Sequence, residues 1–251
     1  MKVLVTRPAA DAARTAAALA ERGHTCVVAP MVEIKACPAQ IPERDYQAIL
    51  VTSANAVRTL GPQPAGGALR GVPVIAVGDA SADAARAAGI TEVDSAGGAA
   101  DDLVEMVRAR LAPDGGPLLY LSGREVASDL PRVLAAQGFA VEQVVTYEAV
   151  PAARFPEAAR EALAGGGLDA VLVYSPRSAR ILGTLAVQAG MMDALAGLVW
   201  VCLSPAVAES AREVGAARVV VAERPAEPAL LAALESLTTQ TGLATAPPKR
   251  V

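Results

Sequence analysis

Residues 46–60 read YQAILVTSANAVRTL, and residues 168–182 read LDAVLVYSPRSARIL. The two stretches align without a gap at an offset of 122. Each runs a short apolar strand into a hydroxyl residue and then directly into a helix, the pattern of a strand covered on both faces. One such unit decides little, but its neighbours recur with it. VIAVGDASADAARAAGITEV at 74–93 matches WVCLSPAVAESAREVGAARV at 200–219, at an offset of 126. Residues 3–23 match residues 118–138 at an offset of 115. The order along the chain is a-b-c-a-b-c, each letter a strand followed by a helix. Two similar lobes imply a cleft between them, where ligands bind.

The rhythm continues along the chain. Strands are expected at 3–6, 26–29, 48–52, 74–77, 92–94, 118–121, 170–174, 199–203 and 218–221. Helices are expected at 9–22, 54–60, 79–88, 101–111, 126–136, 178–185, 206–214 and 227–237, several closed by a glycine such as Gly23, Gly89 or Gly215. Alternation of this kind gives parallel sheets with helices on both faces. The expected fold is therefore α/β, with two similar doubly wound, flavodoxin-like lobes. Two segments break the rhythm: VEIK at 32–35 and VEQVVTYEAV at 141–150. Both alternate polar and apolar residues, as a two-stranded ribbon would. A simple cut near 113–117 leaves these segments without a role. An interleaved cut uses them as crossings, with 1–33 and 150–251 as one lobe and 36–148 as the other. Residues 238–251 (TTQTGLATAPPKRV) read as a loose tail.

Composition excludes several functions. The 251-residue chain carries a net charge of −4, and its basic residues do not cluster except at Lys249-Arg250. That argues against nucleic acid as a partner. Cys26, Cys37 and Cys202 are scattered, with no CxxC, so neither a zinc ribbon nor a disulfide framework is expected, and a cytoplasmic setting fits. The opening MKVLVTRP has too short an apolar run for a signal peptide, and no stretch reads as a membrane span. The chain is expected to be a monomer.

Ligand-binding residues should lie beyond the carboxyl ends of the strands. There the sequence places Thr6-Arg7-Pro8, Thr52-Ser53-Ala54-Asn55, Gly78-Asp79-Ala80-Ser81, Ser122-Gly123-Arg124, Ser175-Pro176-Arg177 and Ser204-Pro205. Each loop is short and enters a helix N-terminus, whose free N–H groups attract anions. Arg7, Arg124 and Arg177 add cations. Together they read as a site for a molecule with several carboxylates or phosphates, although a Ser or Asp here is also an ordinary helix cap. No GxGxxG, GxxxxGK[ST] or GxSxG motif occurs, and no metal-ligand cluster, so no cofactor and no metal are expected. His24, the single histidine, reads as a surface or turn residue. Tyr147 lies in the second ribbon segment, where its hydroxyl could donate a proton or simply be half-buried.

VLVTRP (3–8), ILVTSANAV (49–57), VIAVGDASADAARAAG (74–89), LLYLSGREVASDLPRVLAAQG (118–138), VVTYEAVPA (144–152), VLVYSPRSA (171–179) and VCLSPAVAESAREVG (201–215) occur in this order. The chain resembles the uroporphyrinogen-III synthase family over nearly its whole length. The resemblance implies two α/β lobes joined by a two-stranded ribbon. It also implies cyclisation of hydroxymethylbilane to uroporphyrinogen III, with inversion of the last pyrrole ring, loss of water and no cofactor. The linear substrate carries eight carboxylates and would arrive by transient handover from hydroxymethylbilane synthase. By its match to the family's VY motif, Tyr147 is implied as the proton donor. Arg7, Thr52, Ser53, Asn55, Ser81, Ser122, Gly123, Arg124, Ser175, Arg177 and Ser204 are expected to hold the substrate. Where the family has a Thr-Ala pair, this chain has Ser81-Ala82 in one copy but Val207-Ala208 in the other, which removes a hydroxyl. The competing readings are an intracellular two-lobed binding or sensor protein for a polyanionic small molecule, and a sugar-nucleotide transferase.

Overall fold

The structure is a computed structural model that describes residues 1–60, 69–126 and 128–243. The chain divides into two units, Met1–Glu33 with Pro151–Val251, and Ile34–Val150.

The first unit is built on a five-stranded parallel sheet in the order β11-β10-β9-β1-β2: β1 (Lys2–Val5), β2 (Thr25–Val28), β9 (Ala170–Val173), β10 (Val199–Cys202) and β11 (Arg218–Val221). One face packs on α6 (Glu157–Ala164), α7 (Pro176–Gln188), α8 (Met192–Ala196) and α9 (Pro205–Glu213) around Trp200, Leu4 and Val171. The other packs on α1 (Ala9–Glu21) and α10 (Glu227–Leu243) around Val3, Val5 and Leu172. β1, β9 and β10 are apolar throughout or nearly so because both faces are covered.

The second unit holds a six-stranded sheet, β3-β8-β7-β4-β5-β6: β3 (Val32–Ala36), β4 (Ala48–Val51), β5 (Val74–Ala76), β6 (Val93–Ser95), β7 (Leu118–Gly123) and β8 (Val141–Pro151). From β8 to β6 it is parallel. One face packs on α2 (Ala54–Arg58) and α3 (Asp79–Ala87), the other on α4 (Ala100–Arg110) and α5 (Leu130–Ala135).

Strand registers carry the duplication into three dimensions. Ile49 faces Val74 and Leu119. In the other unit Val171 faces Trp200 and Leu4. The three offsets read from the sequence are those that superpose these partners. Traced as β2-β1-β9-β10-β11 and β8-β7-β4-β5-β6, the two sheets share one spatial order, and the chain enters them at different strands. Between units the chain runs through β3 and β8. Cys37 N–H donates to Thr146 O, and Ala152 N–H donates to Met31 O. Partner numbers fall as the others rise, so β3 and β8 form an antiparallel ribbon.

Helix starts follow their caps. Ser53, Ser175 and Ser204 accept from backbone N–H groups of α2, α7 and α9, and Pro176 and Pro205 occupy first-turn positions where no N–H is needed. Four expectations need correction. α5 begins at Leu130, not at 126, because Asp129 accepts from Arg132 N–H and Pro131 fits only a first turn. α6 and α8 are additions to the expected helices. His24 lies, as expected, where the turn from α1 enters β2, but it is buried and not on the surface, with Nδ1 3.2 Å from the Met1 amine. α10 runs on through residues 238–243, which composition assigns to a loose tail. Elongating a packed helix costs far less than starting one. Residues 244–251 lie outside the described residues.

α7 and α9 approach each other at Gly183, where a Cβ would lie 2.5 Å from the Val214 Cβ. Gly183→Ala is expected to destabilise the protein by about 1–3 kcal/mol through overpacking. Urea unfolding of the variant checks this; an unchanged midpoint would mean the helices have room to part.

Candidate functional site

Strand order reverses direction between β1 and β9 in the first unit and between β7 and β4 in the second. In a doubly wound sheet the crevice for a ligand opens outside the carboxyl ends at such a point. Arg7, Ser175 and Arg177 follow β1 and β9, so they meet at the first of these edges. Thr52, Ser53, Ser122, Gly123 and Arg124 follow or end β4 and β7 and meet at the second, with Asn55 in the opening turn of α2. Ser81 and Ser204 stand one strand further out, after β5 and β10.

At the first edge Arg7 is engaged within its own unit. Its side chain is only 15% exposed, and its guanidinium lies 2.7 Å from Glu227 and 3.8 Å from Asp11. It donates to the Thr15 hydroxyl at 3.2 Å and sits 4.4 Å above the Tyr174 ring. Thr15 donates to the same Glu227 oxygen, and Tyr174 reaches that oxygen at 3.4 Å. Burial pushes the Tyr174 phenol up to about 12, so it is a poor acid. The sequence alone reads Arg7 as a ligand cation and Glu227 as part of a strand-to-helix turn. No local signal pairs residues 220 positions apart. Ser175 accepts from Ser178 N–H at 3.1 Å and donates to the Ser178 hydroxyl at 2.9 Å, so it is fully used as a cap. Arg177 sits half-buried in the first turn of α7.

The second edge differs. Thr52 and Tyr120 share a hydroxyl–hydroxyl bond of 3.0 Å, and burial raises the Tyr120 phenol. Ser53 accepts from Asn55 N–H at 3.2 Å, while Asn55 Oδ1 accepts from Arg58 at 3.3 Å. A capping hydroxyl that only accepts keeps its proton for a ligand, which holds for Ser53 and for Ser204, the cap of Val207 N–H. Ser122 has no exposed surface and its hydroxyl accepts from Gln143 at 2.9 Å. Ser81 is also buried, in the first turn of α3. Neither presents the open hydroxyl that its place in the sequence suggests. Arg124 is exposed, 3.4 Å from Glu148 and 3.9 Å from Cys37 Sγ. An exposed pair of this kind is weak, so a ligand carboxylate can compete for Arg124. Beside them the Tyr147 ring is half-buried against the cluster of Val51, Leu121 and Val144. Its hydroxyl makes no hydrogen bond among the described residues. Among those residues no group of three or more His, Cys, Asp and Glu is placed to hold a metal ion, and no helix is long and apolar enough to cross a membrane.

These edges can be set beside known proteins. The family model for uroporphyrinogen-III synthase HemD matches residues 13–232. Among solved structures, the chain is similar to uroporphyrinogen-III synthetase from Helicobacter pylori, with a TM-score of 0.62 and 17% identity, covering 94% of this chain and 99% of that one. It is similar as well to a mutant uroporphyrinogen III synthase from the extremely thermophilic bacterium Thermus thermophilus. There the TM-score is 0.53 and the identity 21%, over 96% of this chain and 99% of that one. At these identities the likeness speaks for the fold. A search of curated proteins returned no match.

Glu227 answers Arg7, Thr15 and Tyr174 together, so Glu227→Ala leaves a largely buried cation with only the longer contact to Asp11. The expected loss is about 1–3 kcal/mol, less than for a fully buried pair because some solvent reaches both groups. Chemical denaturation of the purified variant measures it. A loss below about 0.5 kcal/mol, the ordinary scale of a surface change, would show that water replaces the carboxylate at no cost.

Proposed function

The chain belongs to the uroporphyrinogen-III synthase family, an enzyme family of tetrapyrrole synthesis, and from that premise we propose that it acts as a cofactor-independent lyase on hydroxymethylbilane. The product is uroporphyrinogen III, formed with inversion of the last pyrrole ring and release of water. The match of the family model over residues 13–232 carries this reading. The free thiols of Cys26, Cys37 and Cys202 support a cytoplasmic setting. We take the enzyme to work as a monomer that receives its substrate by transient handover from hydroxymethylbilane synthase.

The substrate's eight carboxylates need donors and cations, and the chain's net charge of −4 means that attraction must be local. Arg124 and Arg177, the hydroxyls of Thr52, Ser53 and Ser204, the Asn55 amide and the N–H groups opening the helices of both units suit that task. Arg7 is tied to Glu227 and contributes by stiffening its edge.

In the proposed reaction Tyr147 donates its phenolic proton to the terminal hydroxyl of the substrate, which leaves as water. The C–O bond breaks and an azafulvenium cation remains. The substituted α-carbon of the last ring attacks it to give a spiro intermediate. That intermediate fragments and closes with the ring inverted, and the proton released on rearomatisation restores the phenol. The rest of the enzyme's work is conformational: it holds the bilane folded so that the spiro route outruns direct closure to the type I isomer. Among the described residues the Tyr147 hydroxyl has no partner, which supports the assignment, since a donor committed to another acceptor would have to break that bond first.

A coupled assay tests both parts. Purified protein is given freshly made hydroxymethylbilane, the product is oxidised, and the isomers are separated. Type III above the protein-free control is expected, and type I alone from folded protein would overturn the reading. Tyr147→Phe is expected to lower turnover on the order of 100-fold, the usual contribution of a general acid, with the melting curve unchanged. Turnover at the parent level would remove Tyr147 from the chemistry.

A further inference from the structure

We infer that Gly123 is a positioning residue whose missing side chain is the seat of the Tyr147 ring. This inference rests on the proton-donor reading of Tyr147 given above.

Side chains along a strand alternate between faces. On β8, Val144 packs on the cluster formed with Leu119, Leu121 and Val51, so strict alternation would send Tyr147, three residues on, to the opposite face. Tyr147 packs against that same cluster. The pairing of β7 with β8 explains how. Ser122 faces Val145, but the next residue, Gly123, faces Tyr147, so Thr146 is an extra residue in β8. A bulge of this kind re-aims the side chain that follows it.

Side-chain hydrogen bonds from Thr146 and Gln143 fix the bulge. The Thr146 hydroxyl is buried and lies 3.1 Å from Ala56 O, in α2, and 3.4 Å from Ser122 O. Gln143 donates to the Ser122 hydroxyl at 2.9 Å. Beyond the bulge, Arg124 N–H donates to Tyr147 O at 2.9 Å. The backbone on both sides of Tyr147 is therefore held, and the ring lies over Gly123. A Cβ there would lie 2.7 Å from the ring Cζ, 2.9 Å from the hydroxyl oxygen and 3.0 Å from Cε2. Real Cβ atoms do not approach so closely, so any side chain at 123 must push the phenol away. The three nearest atoms all belong to Tyr147, which makes the effect local to that ring. Gly123 thus sets the position of the hydroxyl through the side chain it lacks, a role separate from the backbone contact with a substrate carboxylate expected from the sequence.

The experiment combines Gly123→Ala with Tyr147→Phe and Tyr147→Ala. In the isomer assay Gly123→Ala is expected to lower kcat about tenfold or more, as small misplacements of reacting groups do, with KM little changed and a larger share of type I product. Added to Tyr147→Phe it should cost nothing further, because the phenol it displaces is already gone. Parental kcat in Gly123→Ala, or an equal extra loss on the Tyr147→Phe background, overturns the proposal. A second readout needs no catalysis. Gly123→Ala should lower the urea midpoint of the parent but not that of Tyr147→Ala, where the vacated ring leaves room for the methyl group. This arm also covers a Gly123→Ala variant too unstable to assay. Equal destabilisation on both backgrounds overturns the seat. If Tyr147→Phe keeps full turnover, the proton-donor reading fails and Gly123 loses its catalytic role with it, whereas the unfolding cycle still reports whether the ring sits on Gly123.

Discussion

A parallel strand without a solvent face must be covered by helices on both sides, and most of this molecule follows from that constraint. It makes Ala48–Val51, Ala170–Val173 and Val199–Cys202 continuously apolar. It leaves a polar residue little place in a sheet except at a strand end, so chemistry collects there. It also sets the next element. A strand that ends at its carboxyl edge must turn at once into a covering helix, and the turn residue becomes that helix's cap. Ser53, Ser175 and Ser204 each satisfy this requirement. One residue type serves as cap and as candidate ligand donor, and this is why the two roles are hard to separate by composition.

The same logic explains what can be read from the sequence. Continuous apolar strands, glycine-closed helices and repeats at constant offsets are local or periodic signals, and β1, β4, β5, β7, β9, β10 and β11 follow them closely. α6 escapes such a reading because it belongs to no repeated unit. The start of α5 is marked by Pro131 and not by the apolar pattern before it, and the end of α10 is hidden because Thr and Gln are weaker helix formers than Ala. The site is legible only as a row of loops. Whether a hydroxyl in that row is open, as at Ser53, buried, as at Ser122, or taken, as at Ser175 by Ser178, depends on surroundings outside the loop's own reading. The Thr146 bulge is not legible at all, since VEQVVTYEAV reads equally well as plain alternation, and only the partner strand shows the slip.

Duplication supplies two edges of one design, and the differences between them are informative because the backbone is held constant. Thr52, just after β4, and Tyr120, in β7, share a hydroxyl–hydroxyl bond in one unit. Their counterparts at the offsets of 122 and 115 are Tyr174 and Val5. Each edge therefore keeps one large phenol and one small side chain, with the tyrosine moved to the opposite strand. The exchange preserves volume, which packing demands, but it turns the hydroxyl towards different company. In the second unit the Tyr120 phenol meets a threonine. In the first, the Tyr174 phenol meets Thr15, Arg7 and Glu227.

That difference bears on where protons can move. A phenol raised to about 12 and held beside Glu227 gives up its proton less readily than an ordinary tyrosine, and Arg7 over its ring is already answered by carboxylates. Around Arg7 the first edge is thus a network of locally paired charges, suited to stiffening the loops after β1 and β9. The second edge has an exposed cation in a weak pair at Arg124 and a phenol at Tyr147 with no hydrogen bond among the described residues. Two copies of one scaffold have diverged into an edge braced by paired charges and one with an exposed cation and an open phenol. Tyr147, the proton donor proposed for the second edge, is aimed by a backbone irregularity, the Thr146 bulge, that has no counterpart in the short, regular pairing of β1 with β2.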